Sequence, residues 1–236
     1  MNIIVMAAGL GSRFKEVTRE TPKSLLPING IPNLERTIRF INDSNKIEDI
    51  YILVGYLGEK FEYLKSKFNN IHIIYNNHFR DYNSIYTFSL SLPYFSDSFV
   101  IDGDSVLIHN VFRNLSPEKS TYYTLVREDS VNEWEPVLTN NIVTDIVTAS
   151  ESTQTLSGLS YWKEIDCEII RNNYPKYLEK KYIENSSLYW DDIPRNYLAQ
   201  LEITTQKLEN KSILEMDNVE EYQRVQEILR EQENIN

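Results

Sequence analysis

MNIIVMAAGLGSRFKEVTRETPKSLLP, residues 1–27, passes from an apolar segment through a turn with two glycines into a polar stretch carrying Arg13 and Pro22-Lys23. The whole chain has only seven glycines, yet Gly9 and Gly11 fall together here. Asn2 to Ala8 is apolar and β-branched at its centre, which predicts a buried strand closed by glycine. Backbone N–H groups in such a turn can converge on an anion, because glycine lets the chain approach without a Cβ. Two phosphate fingerprints fail on single residues. A dinucleotide turn, G-x-G-x-x-G, needs glycine at position 14, which is Phe14; a Walker A loop needs glycine ahead of Lys-Ser, where Pro22 precedes Lys23-Ser24. What remains is a glycine turn with Arg13 and Lys23 set to neutralise a polyphosphate from two sides, or else a plain βα turn with surface cations.

Strand and helix patterns alternate outward from this turn. Leu34, Ile38 and Ile41 follow Pro32 at helical spacing. Ile50 to Val54 is a strand, Phe61, Leu64 and Phe68 mark a helix, and Ile71 to Tyr75 is a strand. Ile85 to Leu92 reads as helix, and the strand Phe99 to Ile101 runs into Asp102-Gly103-Asp104. This alternation predicts an α/β fold with a mainly parallel sheet covered on both faces. The second half reads as strands at Thr121 to Val126, Ile142 to Val147, Leu156 to Tyr161 and Ile213 to Met216. Helices are expected at Lys163 to Asn172, at Leu188 to Tyr197, and from Val219 through Leu229. No repeat or low-complexity linker interrupts the 236 residues. One domain is expected, with a nucleotide-binding half over residues 1–110 and a small acceptor-binding lobe over 111–236.

The chain is 41% hydrophobic with net charge −11, enough to bury a core and unsuited to nucleic acid or an anionic membrane. A small phosphate ligand needs only two or three placed cations. The single Cys167 excludes an internal disulfide and fits a reducing compartment. No segment has membrane-spanning length, so a cytoplasmic protein is expected. His72, His78 and His109 show no zinc-ligand spacing.

Triphosphate chemistry requires a divalent ion, and Mg²⁺ takes a few carboxylates plus substrate oxygens. Asp104 follows an apolar strand, at the end where open α/β sheets bind ligands. Asp217 closes the strand Ile-Leu-Glu-Met-Asp and can supply a second carboxylate, or can cap the last helix with Glu220 in the capping-box position. Sixteen tyrosines and three tryptophans are present. Trp134 and Trp190 sit among acids, in residues 127–134 and 188–192. Aromatic faces beside carboxylates suit an ammonium group, although aromatics in a core and acids on a surface give the same pattern.

Ala7-Ala8-Gly9 and GLGSR…TPKSLLP resemble the N-terminal signature of nucleotidyltransferases that join a nucleoside triphosphate to a phosphorylated small molecule. The segments VGYLGEKFEYLKSKF, DYNSIY, VIDGDS, VFRN, REDSVNEW, LSGLSYW, LYWDD and EMDNVEEYQRVQEIL, in this order, resemble the bacterial CTP:phosphocholine cytidylyltransferases from Met1 to about Leu229. The resemblance implies one Rossmann-like α/β domain with a mixed central sheet, which makes CDP-choline from CTP and phosphocholine. It implies that Ala7, Ala8, Gly9, Gly11 and Ser12 hold the nucleotide, with Arg13 and Lys23 on the triphosphate. Asp104 and Asp217 are then the Mg²⁺ ligands, and Trp134, Tyr189 and Asp191 or Asp192 surround the choline head. Tyr82 and Asn83 are candidates for the base, although Asn83 can equally cap the following helix. Gly103 stands where the pattern expects alanine, and Lys163 where it expects an acid. Two other readings stay open: 2-aminoethylphosphonate or phosphoethanolamine as acceptor, or a non-catalytic nucleotide sensor on the same fold.

Overall fold

Alternate residues of β1 (Asn2–Ala7) serve two cores. Ile3, Val5 and Ala7 pack into one, Ile4 into the other, and all four are buried. Period-two alternation sends successive side chains to opposite faces, so a strand apolar on both faces must lie inside a covered sheet. The computed structural model of the chain describes residues 1–127 and 132–235. Glu128, Asp129, Ser130 and Val131, in the acidic stretch before Trp134, lie outside the described residues.

In chain order the elements begin with β1, the hairpin β2 (Pro27–Ile28) and β3 (Ile31–Pro32), α1 (Asn33–Asp43), β4 (Asp49–Val54), α2 (Tyr63–Lys67) and β5 (Ile71–Tyr75). Next come α3 (Ser84–Ser89), β6 (Ser98–Asp102), β7 (Ser105–Leu107), β8 (Ser120–Val126), β9 (Trp134–Thr139), β10 (Ile142–Thr148) and β11 (Gln154–Trp162). The chain closes with α4 (Glu164–Asn173), α5 (Lys180–Ile183), α6 (Asp192–Arg195), β12 (Ile203–Lys207), β13 (Ile213–Glu215) and α7 (Val219–Ile235).

The main sheet has seven strands in the order β12-β8-β11-β6-β1-β4-β5. Only β11 runs against its neighbours, antiparallel to both β6 and β8; the remaining pairs are parallel. The sheet is thus mixed and mainly parallel, with helices on both faces. The strand β1 sits between β4 and β6, pairing Val5 with Ile52 and with Ile101. Its carboxyl end, and that of β6, therefore open side by side.

A third, smaller core holds the turn after β1. Phe14, in the 3-10 turn Ser12–Thr18, packs with Leu26, Ile28, Val106, Met216, Val225 and Leu229. Phe14 fills the position where a dinucleotide fold has glycine, and is 1% exposed. The turn is anchored by apolar burial, worth about 1.5–3 kcal/mol for such a side chain, against β7, β13 and α7. Tyr222 of α7 adds an edge-on contact with Phe14 and donates from Oη to Pro27 O at 2.6 Å.

Three features differ from the pattern-based expectation. The helix over Leu188 to Tyr197 is only the single turn α6. Ser84 Oγ takes the Trp190 N–H at 3.0 Å and Asp192 Oδ2 takes the Tyr189 N–H at 2.8 Å, so those donors point away from any helical ladder. Trp134 opens a strand, β9, which pairs with β10 in a separate hairpin. The edge strand β12, ITTQK, pairs on one side only and is too polar for the apolar-run signal. Among the described residues no helix is long and apolar enough to cross a membrane.

Gly55 after β4 fixes a wall of the opening beside β1. A Cβ there would stand 2.5 Å from Phe79 Cβ and 2.7 Å from the Ala8 carbonyl oxygen. Gly55→Ala is expected to lower stability by about 1–3 kcal/mol, read as a shift in the urea midpoint. An unchanged midpoint would mean that Phe79 moves aside freely.

Candidate active site

The carboxyl ends of β1 and β6 and the bulged middle of β11 open onto one cleft of about 820 Å³. Ala8, Gly9, Arg13, Lys23, Asp104 and Asp217 line it, and so do Trp134, Tyr189, Trp190 and Asp191. A side cavity of about 80 Å³ is bounded by Ala7, Gly9, Gly11, Lys23 and Asp104. Gly11 has φ 60° and ψ 31°, the left-handed region. A Cβ there would approach Thr18 Cγ2 at 3.2 Å and Lys23 Cβ at 3.3 Å. The Gly11 carbonyl accepts from Phe14 N at 2.9 Å and Thr18 Oγ1 at 3.0 Å. Ser12 opens the 3-10 turn, and its side chain is not among those lining the cleft.

Lys23 ties the site together. Its Nζ lies 2.6 Å from Asp104 Oδ2 and donates to Asp217 Oδ1 at 2.8 Å. The Arg13 Nη1 donates to Asp217 Oδ2 at 2.7 Å. Burial pulls the Lys23 ammonium toward neutrality, but Asp104 and Asp217 outweigh it and raise its pKa. Burial acts on Asp217 in the opposite sense, and Lys23 and Arg13 overcome it, holding the carboxyl below the usual range. The Asp217 charge raises Arg13 in turn. Lys23, Asp217 and Arg13 are therefore each held in the charged form.

The capping reading of Asp217 does not hold. The helix cap is Asn218, whose Oδ1 accepts from Glu221 N at 3.0 Å. The reciprocal partner is Glu221 rather than Glu220: its Oε2 accepts from Asp217 N at 2.6 Å. The cap thus lies one residue after Asp217 and leaves the Asp217 carboxylate to the cations. Two carboxylates converging on one ammonium nitrogen also form a donor set suited to a divalent ion that keeps water and phosphate ligands. Among the described residues no cluster of three or more His, Cys, Asp or Glu forms an all-protein metal site.

The two adjacent aspartates, Asp191 and Asp192, divide. Asp192 is engaged, with Oδ2 on the Tyr189 N–H and Oδ1 3.0 Å from Arg195 Nη1. Asp191 lines the cleft. Burial, and then Asp192, push its carboxyl up to about 6. Trp134 stacks one ring face on the Arg195 guanidinium at 4.3 Å. Tyr189 is 54% exposed. Tyr82 lines the cleft and packs on His78 and Tyr86. Asn83 lines the cleft, but both hydrogens of its amide are taken, by Tyr182 O at 2.8 Å and Asn185 O at 2.7 Å, while Oδ1 caps α3 at Ile85 N. The base contact expected of Asn83 therefore meets a side chain already engaged in structure. Lys163 stands outside the cleft with its ammonium 3.4 Å from Asp97. At Gly103 a Cβ would come 2.7 Å from Ser24 Oγ and 2.8 Å from Met6 O, so glycine lets the β6–β7 turn close on β1.

Residues 3–167 match the family model of the MobA-like NTP transferase domain. The chain is a nucleotidyltransferase of this family. A choline-phosphate cytidylyltransferase from Haemophilus influenzae is 46% identical over 226 residues, covering 95% of this chain and 96% of the relative. A 2-aminoethylphosphonate cytidylyltransferase from Lancefieldella rimae is 28% identical over 93% of this chain and 89% of its own length. The solved CTP:phosphocholine cytidylyltransferase from Streptococcus pneumoniae superposes with a TM-score of 0.88 at 37% identity, covering 97% of this chain and 98% of that one. Family membership favours a transferase over the nucleotide sensor.

The transferase cleft also holds Glu215, which no sequence motif singled out, and Asp102 of the Asp102-Gly103-Asp104 turn. Glu215 lines it, is pushed up to about 7 chiefly by burial, and pairs with Arg127. Glu215 lies two residues before Asp217 at a strand end, so period-two spacing places both on one side; that spacing was the available signal. Asp102, at the end of β6, is driven well above the usual carboxylate range by burial and by Asp104.

The raised Asp191 pKa has a definite sign for stability. The folded state keeps a proton that the unfolded chain releases, so stability falls as pH rises from the ordinary aspartate range through about 6. Asp191→Asn is therefore expected to stabilise the transferase at pH 7.5 by about 1–3 kcal/mol, with little change at pH 4. Urea titrations at both pH values test this; equal effects at the two would contradict it.

Proposed function

We propose that the protein transfers CMP from CTP to phosphocholine, releasing CDP-choline and pyrophosphate. The carrying observation is one cleft lined both by the Lys23–Asp104–Asp217–Arg13 cluster and by Trp134, Tyr189 and a buried Asp191. The full-length similarity to choline-phosphate cytidylyltransferases supports the same acceptor.

A phosphate oxygen of phosphocholine attacks the α-phosphorus of CTP. The new P–O bond forms as the bond from the α-phosphorus to the bridging oxygen breaks, and the electron pair leaves with pyrophosphate. The attacking phosphate is already anionic, so no general base is required. The residues act by positioning and by charge neutralisation. The backbone of Ala7, Ala8, Gly9, Gly11 and Ser12 holds the nucleotide, and Tyr82 borders the base. Lys23 stabilises negative charge at the α-phosphate, while Arg13 holds the β- and γ-phosphates. Asp104 and Asp217 are the ligands for Mg²⁺, which, when bound, disperses charge on the phosphate oxygens. Asp191 supplies the carboxylate toward the quaternary ammonium, with the exposed ring faces of Trp134 and Tyr189. Each cation–ring contact contributes roughly 0.5–2 kcal/mol.

Equal concentrations of phosphocholine, phosphoethanolamine and 2-aminoethylphosphonate, supplied together with CTP and magnesium, test the acceptor. CDP-choline is expected to dominate by mass spectrometry; a dominant primary-amine product would overturn the choice. Lys23→Ala is expected to lower kcat by about 10²–10³-fold, with a much smaller change in KM for CTP. Equal losses in the two would remove Lys23 from the α-phosphate role.

A further inference from the structure

Helix α3 lines the cleft through Ser84 and Thr87, and it and its cap Asn83 contact the segment that carries Tyr189 and Asp191. Five contacts join them to residues 182–190. Asn83 Nδ2 donates to Tyr182 O at 2.8 Å and to Asn185 O at 2.7 Å. The Asn83 N–H donates to Ile183 O at 2.8 Å. Ser84 Oγ accepts from Trp190 N at 3.0 Å. The Phe88 ring stacks on Trp190 at 4.4 Å and 14°. The recipient segment needs such support. Its helix α5 is a single turn, residues 184–191 contain no regular element, and the backbone holds there are local, Asn185 N to Tyr182 O at 3.2 Å and Leu188 N to Asn185 O at 3.1 Å.

We propose that Asn83 and Ser84 are positioning residues that set the acceptor loop over residues 182–191, and with it the affinity for the acceptor. The inference rests on the reading above, in which Tyr189 and Asp191 receive the acceptor's ammonium. Asn83 holds the loop at its start, through the α5 carbonyls. Ser84 holds it next to Tyr189 and Asp191, by fixing the peptide N–H of Trp190 between them. The cap on α3 and the hold on the loop use different atoms of the same amide: Oδ1 serves Ile85 N, while Nδ2 serves the loop. Chemistry can therefore separate the two roles.

Asn83→Asp makes that separation. Aspartate caps a helix as well as asparagine does, so α3 keeps its start. It has no N–H to give, and sets a carboxylate against two carbonyl oxygens. Ser84→Ala independently removes the acceptor for Trp190 N. Losing one hydrogen bond corresponds to about a fivefold change in an equilibrium. KM for phosphocholine is expected to rise about fivefold in Ser84→Ala and tenfold or more in Asn83→Asp, with KM for CTP held within about twofold. Backbone amide exchange across residues 182–191 should quicken in both variants without any substrate, while exchange in α4 stays unchanged.

Equal rises in both KM values, or unchanged loop exchange, would overturn the inference. If Asn83→Asp fails to fold by circular dichroism, Ser84→Ala decides by the same two readouts. Wild-type protein that makes no CDP-choline refutes the proposed function; wild-type turnover with unshifted variants refutes only the loop assignment.

Discussion

The ammonium of Lys23, held between Asp104 and Asp217, is the contact on which the site depends. It joins three separate parts of the chain: the 3-10 turn at Lys23, the β6–β7 turn, and the end of β13. Lys23 is 17% exposed, Asp104 27% and Asp217 32%. Their desolvation lies between that of a surface pair and that of a buried one. Removing one charge from a fully buried pair costs about 3–5 kcal/mol, and partial exposure brings this cluster below that range. Arg13 balances the second carboxylate, so two positive and two negative charges sum to zero.

Further carboxyls line the same cleft. Asp102, Asp191 and Glu215 all border the cleft and all have carboxyls pushed upward, with burial the largest cause in each. A surplus of desolvated carboxylate is unfavourable for folding. It is also the feature that distinguishes a cationic guest from a neutral one. On the proposed reading, Lys23 and Arg13 face the phosphates, and Asp191 with the rings of Trp134 and Tyr189 faces the amine. An amino-alkyl phosphate has matching polarity along its own length, which explains how an acidic protein can handle two anionic reactants.

Much of this was legible beforehand, and the reasons for the remainder are physical. The strands β1, β4, β5 and β6 are apolar runs ended by glycine, turn or polar residues, and such runs mark a covered parallel sheet at the sequence level. Arg13, Lys23, Asp104 and Asp217 were readable because phosphate chemistry restricts which residue types serve. Their convergence was not readable, since Lys23 and Asp217 stand 194 positions apart. The helix expected over 188–197 failed because tertiary partners captured the N–H groups of Tyr189 and Trp190, which no local pattern reports. Asn83 carried a cap signal and a site signal together; only the positions of Tyr182 O and Asn185 O distinguish them. The edge strand β12 and the hairpin strand β9 went unread, since partly exposed strands lack the continuous apolar run of buried ones.

The third core has a consequence for biosynthesis. Phe14 is covered by Met216, Val225 and Leu229, and Arg13 meets Asp217 across 204 positions. A chain leaving the ribosome can assemble β1, β4, β5 and β6 early, yet its glycine turn stays uncovered on one side until α7 emerges. The packed form of the turn, and the Arg13–Asp217 pair with it, therefore waits for the segment that leads into α7.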